Sequence, residues 1–293
     1  MPTGLLAAAL SYALWGLFPL YFRQVASVPS FEIVLHRSVW SLAFVLFILL
    51  AQRRWNWVGE VTRQPRTLGI FLVSALLLSS NWLIYVWAVN NGRVLEASLG
   101  YFINPLVNVA LGVLFLKERL RPAQKGALAV AALGVGWLTW TAGVPPWIAL
   151  ALALSFGLYG LLRKTAPLGA LEGLALETAL LAPLAVPALL WLSLHGGSLA
   201  TADAPTWAWL LFAGPLTAVP LLLFAHGARR VTMATLGLLQ YLAPTIQFLL
   251  AVWLFHEPLR PERLAGFVLI WVALAIYSAE SLWRLRRGST APA

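Results

Sequence analysis

The chain has 293 residues, of which 61% are hydrophobic and only 10% are charged, and its formal net charge is +10. A soluble domain carries roughly 45–50% apolar and about 25% charged residues, so this composition excludes a water-soluble globular protein. The mean hydropathy of +0.83 predicts an integral membrane protein. The sequence has no cysteine, which excludes a disulfide framework and cysteine metal sites.

Long apolar runs, separated by charged clusters, proline or glycine, predict ten membrane-spanning helices. In chain order they cover roughly 4–22, 33–51, 68–89, 94–116, 123–141, 146–162, 171–192, 206–226, 234–255 and 264–283. The runs lack the alternation of polar and apolar residues found in membrane barrels, so the predicted fold class is all-α. The first run has no basic segment before it and contains Pro19, which predicts a retained helix rather than a signal peptide.

The lysines and arginines are distributed unevenly between the two sides of these spans. With ten spans, 15 of the 20 fall on the side that also holds both termini, in clusters such as 117–125 and 284–287. Because cytoplasmic loops carry the excess of Lys and Arg, the sequence predicts that both termini are cytoplasmic. The distribution of positive charge therefore indicates the orientation of the chain in the membrane, and no nucleic-acid partner is expected.

Two segments of the chain repeat. Residues 97–122 read ASLGYFINPLVNVALGVLFLKERLRP and residues 234–261 read ATLGLLQYLAPTIQFLLAVWLFHEPLRP, with five matches at an offset of 139 that include the pairs Pro105 with Pro244 and Glu118 with Glu257. Each half, 1–143 and 144–293, holds five predicted spans. Because five is odd, the second half is predicted to be inserted upside down. Such inverted repeats are typical of transporters with a site near the bilayer midplane; a duplicated structural membrane protein is the alternative.

Several strings resemble a known family. ALWGLFPLYF, EIVLHRSVWS, NWLIYVWAVNNGRVLEASLGYFINPLVN and FGLYGLLRK, together with an E-x-L-x-P turn in each half, resemble RarD-type proteins with paired EamA domains in the drug/metabolite transporter superfamily. The resemblance covers about residues 4–282. It implies a ten-helix inner-membrane secondary carrier that exports small metabolites, amino acids or drugs.

Other classes of function lack their motifs. The histidines at 36, 195, 226 and 256 show no metal-ligand spacing, and the sequence has no phosphate loop, nucleophile elbow or dinucleotide fingerprint. We therefore expect no enzyme activity, no metal and no cofactor. A channel or facilitator is the alternative, although no string resembles a selectivity filter. The expected partners are a small-molecule substrate, protons as a candidate coupling ion and the lipid bilayer, with the chain acting as a monomer or a homodimer.

Charged residues within the spans need a physical reason, because an ionisable group at bilayer depth costs about 2.5–3.5 kcal/mol or more. Arg37 and Glu96 fall near the outer ends of the second and fourth spans. We interpret them as an ion pair that lines an outer vestibule. The alternatives are a structural pair between two helices, or an arginine that reaches the headgroups.

Two further residues are candidates for ion coupling. Glu177 lies one or two turns inside the seventh span, and His36 precedes Arg37. A partly buried carboxylate can carry a proton. The alternative for Glu177 is a pair with Arg163 or Lys164 at the cytoplasmic end.

Uncharged polar and aromatic side chains within the spans are candidate substrate contacts. Tyr101, Asn104 and Asn108 share one helix face. Trp15 and Tyr159 are aromatic residues deep within the spans. The complete set of candidate substrate contacts is Trp15, Asn81, Tyr85, Tyr101, Asn104, Asn108, Tyr159, Gln240 and Tyr241. Their alternative roles are amide hydrogen bonds between helices, worth about 0.6 kcal/mol on average, and plain aromatic packing.

Overall fold

The computed structural model describes residues 2–53, 55–91, 93–143, 146–256 and 261–288, and these residues contain no strand. The helices in chain order are α1 (Pro2–Gly16), α2 (Phe18–Gln24), α3 (Ser30–Gln52), α4 (Asn56–Val61), α5 (Pro65–Asn90), α6 (Val94–Leu116), α7 (Pro122–Ala142), α8 (Trp147–Thr165), α9 (Ala170–Leu194), α10 (Ser198–Thr201), α11 (Ala204–Ala228), α12 (Met233–Gln240), α13 (Leu242–Leu249), a π-helical turn (Leu250–Leu254) and α14 (Pro261–Gly288).

Eight helical stretches of the described chain are long and apolar enough to cross a membrane. They are Thr3–Gln24, Ser30–Gln52, Pro65–Tyr85, Glu96–Leu116, Trp147–Thr165, Ala170–Leu194, Ala204–Ala228 and Met233–Leu254. The protein is therefore an all-α integral membrane protein. The fifth predicted span falls in α7, which has the polar residues 124–125 in its first turn and is rich in alanine and glycine. The tenth falls in α14, where Leu264–Glu280 is a shorter apolar helix.

Proline interrupts the backbone bonding of α6 and of the ninth predicted span, which carry the predicted contacts Asn104 and Gln240. The ninth predicted span is divided, because α12 ends at Gln240 and α13 follows it. Pro244 has no N–H to bond the carbonyl of Gln240, four residues earlier. Pro105 has the same effect on the carbonyl of Tyr101 within α6, which stays continuous. Each proline thus removes a helical hydrogen bond beside a predicted substrate contact.

The helices of the first half of the sequence pack extensively on those of the second half. α1 and α3 both pack on α11, α5 and α6 both pack on α8, and α3 packs on α9. α6 packs on α12, α1 packs on α13, and α7 packs on α14. At the centre, the buried rings of Tyr12, Tyr159 and Phe224 belong to one hydrophobic cluster. This packing surrounds a cavity that is bordered by helices of both halves.

Gly214 allows α11 to approach α3 closely. A Cβ atom at this position would overlap the carbonyl oxygen of Trp40, which is backbone and has little freedom to move. We expect Gly214→Ala to lower the free energy of unfolding by about 1–3 kcal/mol. Gly126→Ala in α7 is the matched control, since nothing lies within 4 Å of its new methyl group. It should be neutral or stabilising by up to about 1 kcal/mol. Thermal unfolding followed by tryptophan fluorescence measures both, and equal midpoints would contradict the close approach.

Candidate functional site

A cavity lies between the two halves of the chain. The space open to the centres of water-sized molecules is about 180 Å³, well above the roughly 10–15 Å³ that one water molecule needs. Arg37 lines it together with six of the nine uncharged substrate contacts predicted above, namely Trp15, Asn81, Tyr85, Tyr101, Asn104 and Gln240. The cavity wall also includes Trp82, another deep aromatic residue of the spans, and four aromatic residues that were not predicted as contacts, namely Tyr12, Phe18, Phe22 and Phe156.

Arg37 is the one charged side chain among the described residues of the cavity wall. Its Nε donates a hydrogen bond to Thr217 Oγ1 on α11 at 3.0 Å. The guanidinium carbon lies 4.6 Å from the ring centroid of Trp82 and 5.3 Å from that of Phe18. Cation–π contacts of this kind stabilise a guanidinium without neutralising it. The cation is thus held in place, and no carboxylate among the residues that the structure describes pairs with it.

The predicted ion pair between Arg37 and Glu96 does not form between these two described residues. Glu96 lies in the first turn of α6, where its nearest cationic partner is Arg93 at 3.8 Å between Nη1 and Oε1. A carboxylate is stabilised at this place by the positive end of the helix dipole. Glu96 does not line the cavity, so the vestibule is lined by Arg37 without it.

Asn108 connects two helices of the site. Its Nδ2 donates to Gln240 Oε1 on α12 at 2.8 Å and to Asn104 Oδ1 at 3.2 Å. Both partners therefore present their carbonyl oxygens to Asn108 and keep their own NH2 groups available. Asn108 is buried and does not line the cavity, so it positions two residues that do.

Asn81 and the tyrosine pair form another part of the wall. Asn81 Nδ2 donates to Leu152 O and to Ser155 Oγ on α8, both at 2.9 Å. The residue therefore links α5 to α8 as well as lining the cavity. The rings of Tyr85 and Tyr101 meet edge to face with centroids 6.0 Å apart.

The structure places Tyr159, Tyr241 and His36 away from the cavity wall. Tyr159 stacks on Phe224 with a centroid distance of 5.9 Å and an interplanar angle of 13°. The Tyr241 hydroxyl donates to the Phe102 carbonyl at 3.3 Å. Both rings are fully buried, so they pack in the core.

His36 is a hydrogen-bonded buried histidine. Trp40 Nε1 donates to His36 Nδ1 at 3.0 Å, so the ring proton is on Nε2, which lies 3.1 Å from Ser198 Oγ. In this arrangement both ring nitrogens have partners and the imidazole is neutral.

Glu177 belongs to a second buried polar cluster. Ser74 Oγ donates to Glu177 Oε1 at 2.5 Å, and Arg163 Nη1 lies 3.7 Å from the same oxygen. The side chains of Arg163 and Glu177 are each only 1% exposed. Arg163 Nη2 also donates to Ala170 O, whereas Lys164 donates to backbone carbonyls instead. The cluster ties α5, α8 and α9 together outside the cavity.

The first E-x-L-x-P turn has a positional role. Glu118 accepts hydrogen bonds from the backbone N–H groups of Met233 at 2.8 Å and Ala234 at 3.1 Å. These are the free donors at the start of α12, which a carboxylate satisfies well. The turn therefore fixes the helix that carries Gln240. Glu257, Leu259 and Arg260 of the second turn lie outside the described residues.

Asn108→Ala is expected to lower the free energy of unfolding by about 0.6–1.7 kcal/mol, because hydrogen bonds between membrane helices contribute in this range. The matched control is Asn91→Ala, since Asn91 is exposed and bonds only the carbonyl of Trp87 in its own helix. Unfolding midpoints of the two purified variants measure the difference. A larger loss in the control would contradict the positioning role of Asn108.

Comparison with known proteins identifies the family. The model of the EamA-like transporter family matches residues 2–140 and 146–279. An uncharacterized transporter of Pseudomonas aeruginosa is 50% identical over 94% of this chain and 93% of its own length. Protein RarD of Escherichia coli is 42% identical over 98% and 97%, and the uncharacterized transporter YojE of Bacillus subtilis is 43% identical over 94% and 93%.

The fold is also found in a solved structure. A protein crystal structure superposes with a TM-score of 0.71 and covers 93% of this chain and 96% of its own, at 22% identity. The family match covers nearly the whole chain in two segments, and the RarD protein of Escherichia coli matches it over nearly its full length. The chain is therefore a RarD-type member of the EamA-like transporter family, which is a family of membrane transporters and not of enzymes.

Proposed function

We propose that the protein is a secondary-active carrier that exports a small metabolite, amino acid or drug-like molecule across the inner membrane by alternating access. The cavity around Arg37, enclosed by helices of both halves, is the observation that carries this proposal. A cationic side chain is costly at membrane depth and is typically retained for a substrate or ion pathway. The sequence contains no phosphate loop, which favours an ion or substrate gradient as the driving force.

Two inverted five-helix halves, 1–143 and 144–293, would supply the two alternating conformations. The family model matches the chain twice. Contacts between the halves also occur in corresponding pairs when the spans of each half are numbered from one to five. The contact of α1 with α11 corresponds to that of α8 with α5, and the contact of α3 with α11 corresponds to that of α9 with α5. The contact of α1 with α13 corresponds to that of α8 with α6. In this proposal α7 and α14, which pack on each other, are the fifth and tenth spans. A pseudo-two-fold axis in the membrane plane accounts for the correspondence.

Residues at equivalent positions in the two halves support the same relation. Arg37 and Glu177 correspond at an offset of 140. Arg37 bonds Thr217 on α11, and Glu177 bonds Ser74 on α5. Each therefore binds a hydroxyl group on the third long helix of the opposite half. Both contacts are formed in the described conformation, and alternating access would require the one at Glu177 to open toward the cytoplasm.

The described conformation fits an outward-facing carrier. The cavity includes Phe22 near the end of α2, Arg37 near the start of α3, Tyr85 near the end of α5 and Ala97 near the start of α6. These helix ends fall on the predicted exterior side. The cluster of Glu177 with Arg163 and Ser74, near the opposite ends, is closed. Export would then begin with the opening of that cluster.

Protons are the proposed coupling ion, with Glu177 as the carrier of the proton. Its burial beside Arg163 means that protonation would weaken the ion pair and favour opening toward the cytoplasm. His36 is the second candidate, although both of its ring nitrogens already have partners. Glu177→Gln should remove the pH dependence of transport into vesicles. Transport that keeps its pH dependence in this variant would exclude Glu177 from coupling.

A counterflow experiment distinguishes a carrier from a channel or facilitator. Metabolites that accumulate in deletion cells and fall in overexpressing cells provide the test compounds. Proteoliposomes loaded with an unlabelled compound should take up the labelled one transiently against its gradient, with saturable rates. Uptake that is linear in concentration and shows no counterflow would favour a channel.

The proposed orientation, with both termini cytoplasmic, can be tested because the chain has no native cysteine. Single cysteines can be introduced by Gln64→Cys, before α5, and by Ala204→Cys, at the start of α11. Both positions are exposed. A membrane-impermeant maleimide should label Ala204→Cys in spheroplasts and should label Gln64→Cys only after permeabilisation. The reverse pattern would refute the orientation.

A further inference from the structure

We propose that the cavity binds a small organic anion: a carboxylate held by Arg37, attached to an apolar or aromatic body that packs against the surrounding rings. This inference rests on the proposed function only in treating the cavity as the substrate site. It narrows the substrate from any small molecule to one charge class.

The first argument is the unused hydrogen-bonding capacity of Arg37. The guanidinium has five N–H donors in a planar fork, and within the described chain only Nε has a hydrogen-bond partner, Thr217. The side chain is partly exposed and lines the cavity. Trp82 and Phe18 hold the plane of the guanidinium. Such a preorganised fork matches the two oxygens of a carboxylate.

The second argument is that the neighbouring amides also offer donors. Asn108 donates to the carbonyl oxygens of both Asn104 and Gln240. The NH2 groups of these two wall residues have no partner among the residues that the structure describes. A ligand rich in acceptor atoms satisfies them, whereas an ammonium group, which has donors only, does not.

The third argument is the location of the carboxylates. No Asp or Glu is among the described residues that line the cavity. Glu96 is paired with Arg93, and Glu177 is paired with Arg163 in a separate cluster. A cationic ligand would therefore meet Arg37 without a compensating carboxylate. The ammonium group of a zwitterion would lack a partner of opposite charge.

The fourth argument is the apolar surface of the wall. Trp15 and Phe156 meet edge to face at 5.6 Å and line the cavity together with Phe22 and Tyr12. Aromatic walls of this kind favour a flat, apolar ligand body through burial and ring contacts. The site thus combines one cationic end with a largely aromatic remainder.

The test uses four probes with a common phenylpropyl scaffold and different charge: 3-phenylpropionate as the anion, 3-phenylpropionamide as the neutral compound, 3-phenylpropylamine as the cation and phenylalanine as the zwitterion. Binding to the full-length protein in nanodiscs is measured at pH 7 by calorimetry. Hydrogen bonds to charged groups contribute enough for roughly a 10- to 150-fold preference. We therefore expect phenylpropionate to bind at least about 10-fold more tightly than the other three.

Variants assign the preference to Arg37. Arg37→Gln should weaken phenylpropionate binding by about 10-fold or more and leave the amide within about three-fold. Arg37→Lys should give an intermediate affinity, because it keeps the charge and loses the planar fork. Arg66→Gln, at an exposed position outside the cavity wall, is the matched charge control and should leave all affinities unchanged.

Several outcomes overturn the anion class: tighter binding of the amine or of phenylalanine, an equal loss for all probes in Arg37→Gln, or no binding of any probe to the folded protein. Counterflow of the same four probes keeps this inference separate from the carrier proposal. If the amine exchanges and the carboxylate does not, the carrier stands and the anion class fails. If the carboxylate binds through Arg37 and no probe or cellular metabolite shows counterflow, the anion class stands and the carrier proposal fails.

Discussion

Glu177→Ala should lower the free energy of unfolding by about 3–5 kcal/mol, the largest stability effect that we expect from a single substitution in this protein. Glu177 and Arg163 are each 1% exposed and lie 3.7 Å apart. Removal of the carboxylate leaves the guanidinium of Arg163 buried without a counter-charge. It also removes the acceptor of the Ser74 hydroxyl.

Two further variants separate the charge from the packing. Glu177→Gln keeps the shape and an acceptor for Ser74, so its loss of stability should be smaller than that of the alanine variant. Glu60→Ala removes an exposed carboxylate and should change the free energy by no more than about 0.5 kcal/mol. Thermal unfolding of the purified proteins by tryptophan fluorescence gives the ranking. If Glu177→Ala unfolds at the same midpoint as Glu60→Ala, the buried pair contributes nothing to stability.

The largest effect on transport is expected at Arg37. Arg37→Gln should lower kcat/KM for the exported compound by about 10- to 150-fold, because a charge-assisted hydrogen bond to the ligand is lost. Glu96→Gln should change transport by only a few-fold, since Glu96 pairs with Arg93 and lies outside the cavity wall. The Arg93 side chain is 44% exposed, so solvent screens its half of the pair.

Initial rates of uptake into proteoliposomes, normalised to the amount of reconstituted protein, measure both variants. Unfolding midpoints of the same samples show whether the variants are folded. Equal losses of transport in Arg37→Gln and Glu96→Gln would indicate that the two residues form a functional ion pair in another conformation. Full activity of Arg37→Gln would show that the substrate does not contact the guanidinium.

The sequence predicts most reliably those features that depend on the hydropathy of long segments. The apolar runs predicted the long helices that the structure contains, because a membrane excludes unsatisfied backbone groups and leaves helices as the main solution. Eight of the predicted runs correspond to helical stretches of the described chain that are long and apolar enough to cross a membrane. The fifth run falls in α7, whose alanine, glycine and polar residues lower its hydropathy, and the tenth falls in α14, where Leu264–Glu280 is a shorter apolar helix within the described residues.

Individual contacts were harder to predict. Spacing on one helix placed Tyr101, Asn104 and Asn108 on a common face, yet Asn108 faces Gln240 while the other two line the cavity. Position along the chain brought Arg37 and Glu96 to the same end of the bundle. It could not tell that Arg37 bonds Thr217, 180 residues away, or that Glu96 has Arg93 one helical turn before it.

By itself the sequence determined the membrane environment, the helical class, the repeat with its positional matches, and the family. These follow from hydropathy and from similarity along the chain, which need no knowledge of neighbours in space. Only the tertiary structure decided which polar residues share a cavity, that Arg37 is its charged residue, and that Glu177 is paired with Arg163. The reason is geometric: an apolar helix has no exposed polar face to reveal its orientation, so the packing of α1, α3 and α6 on helices of the second half selects the inward side chains.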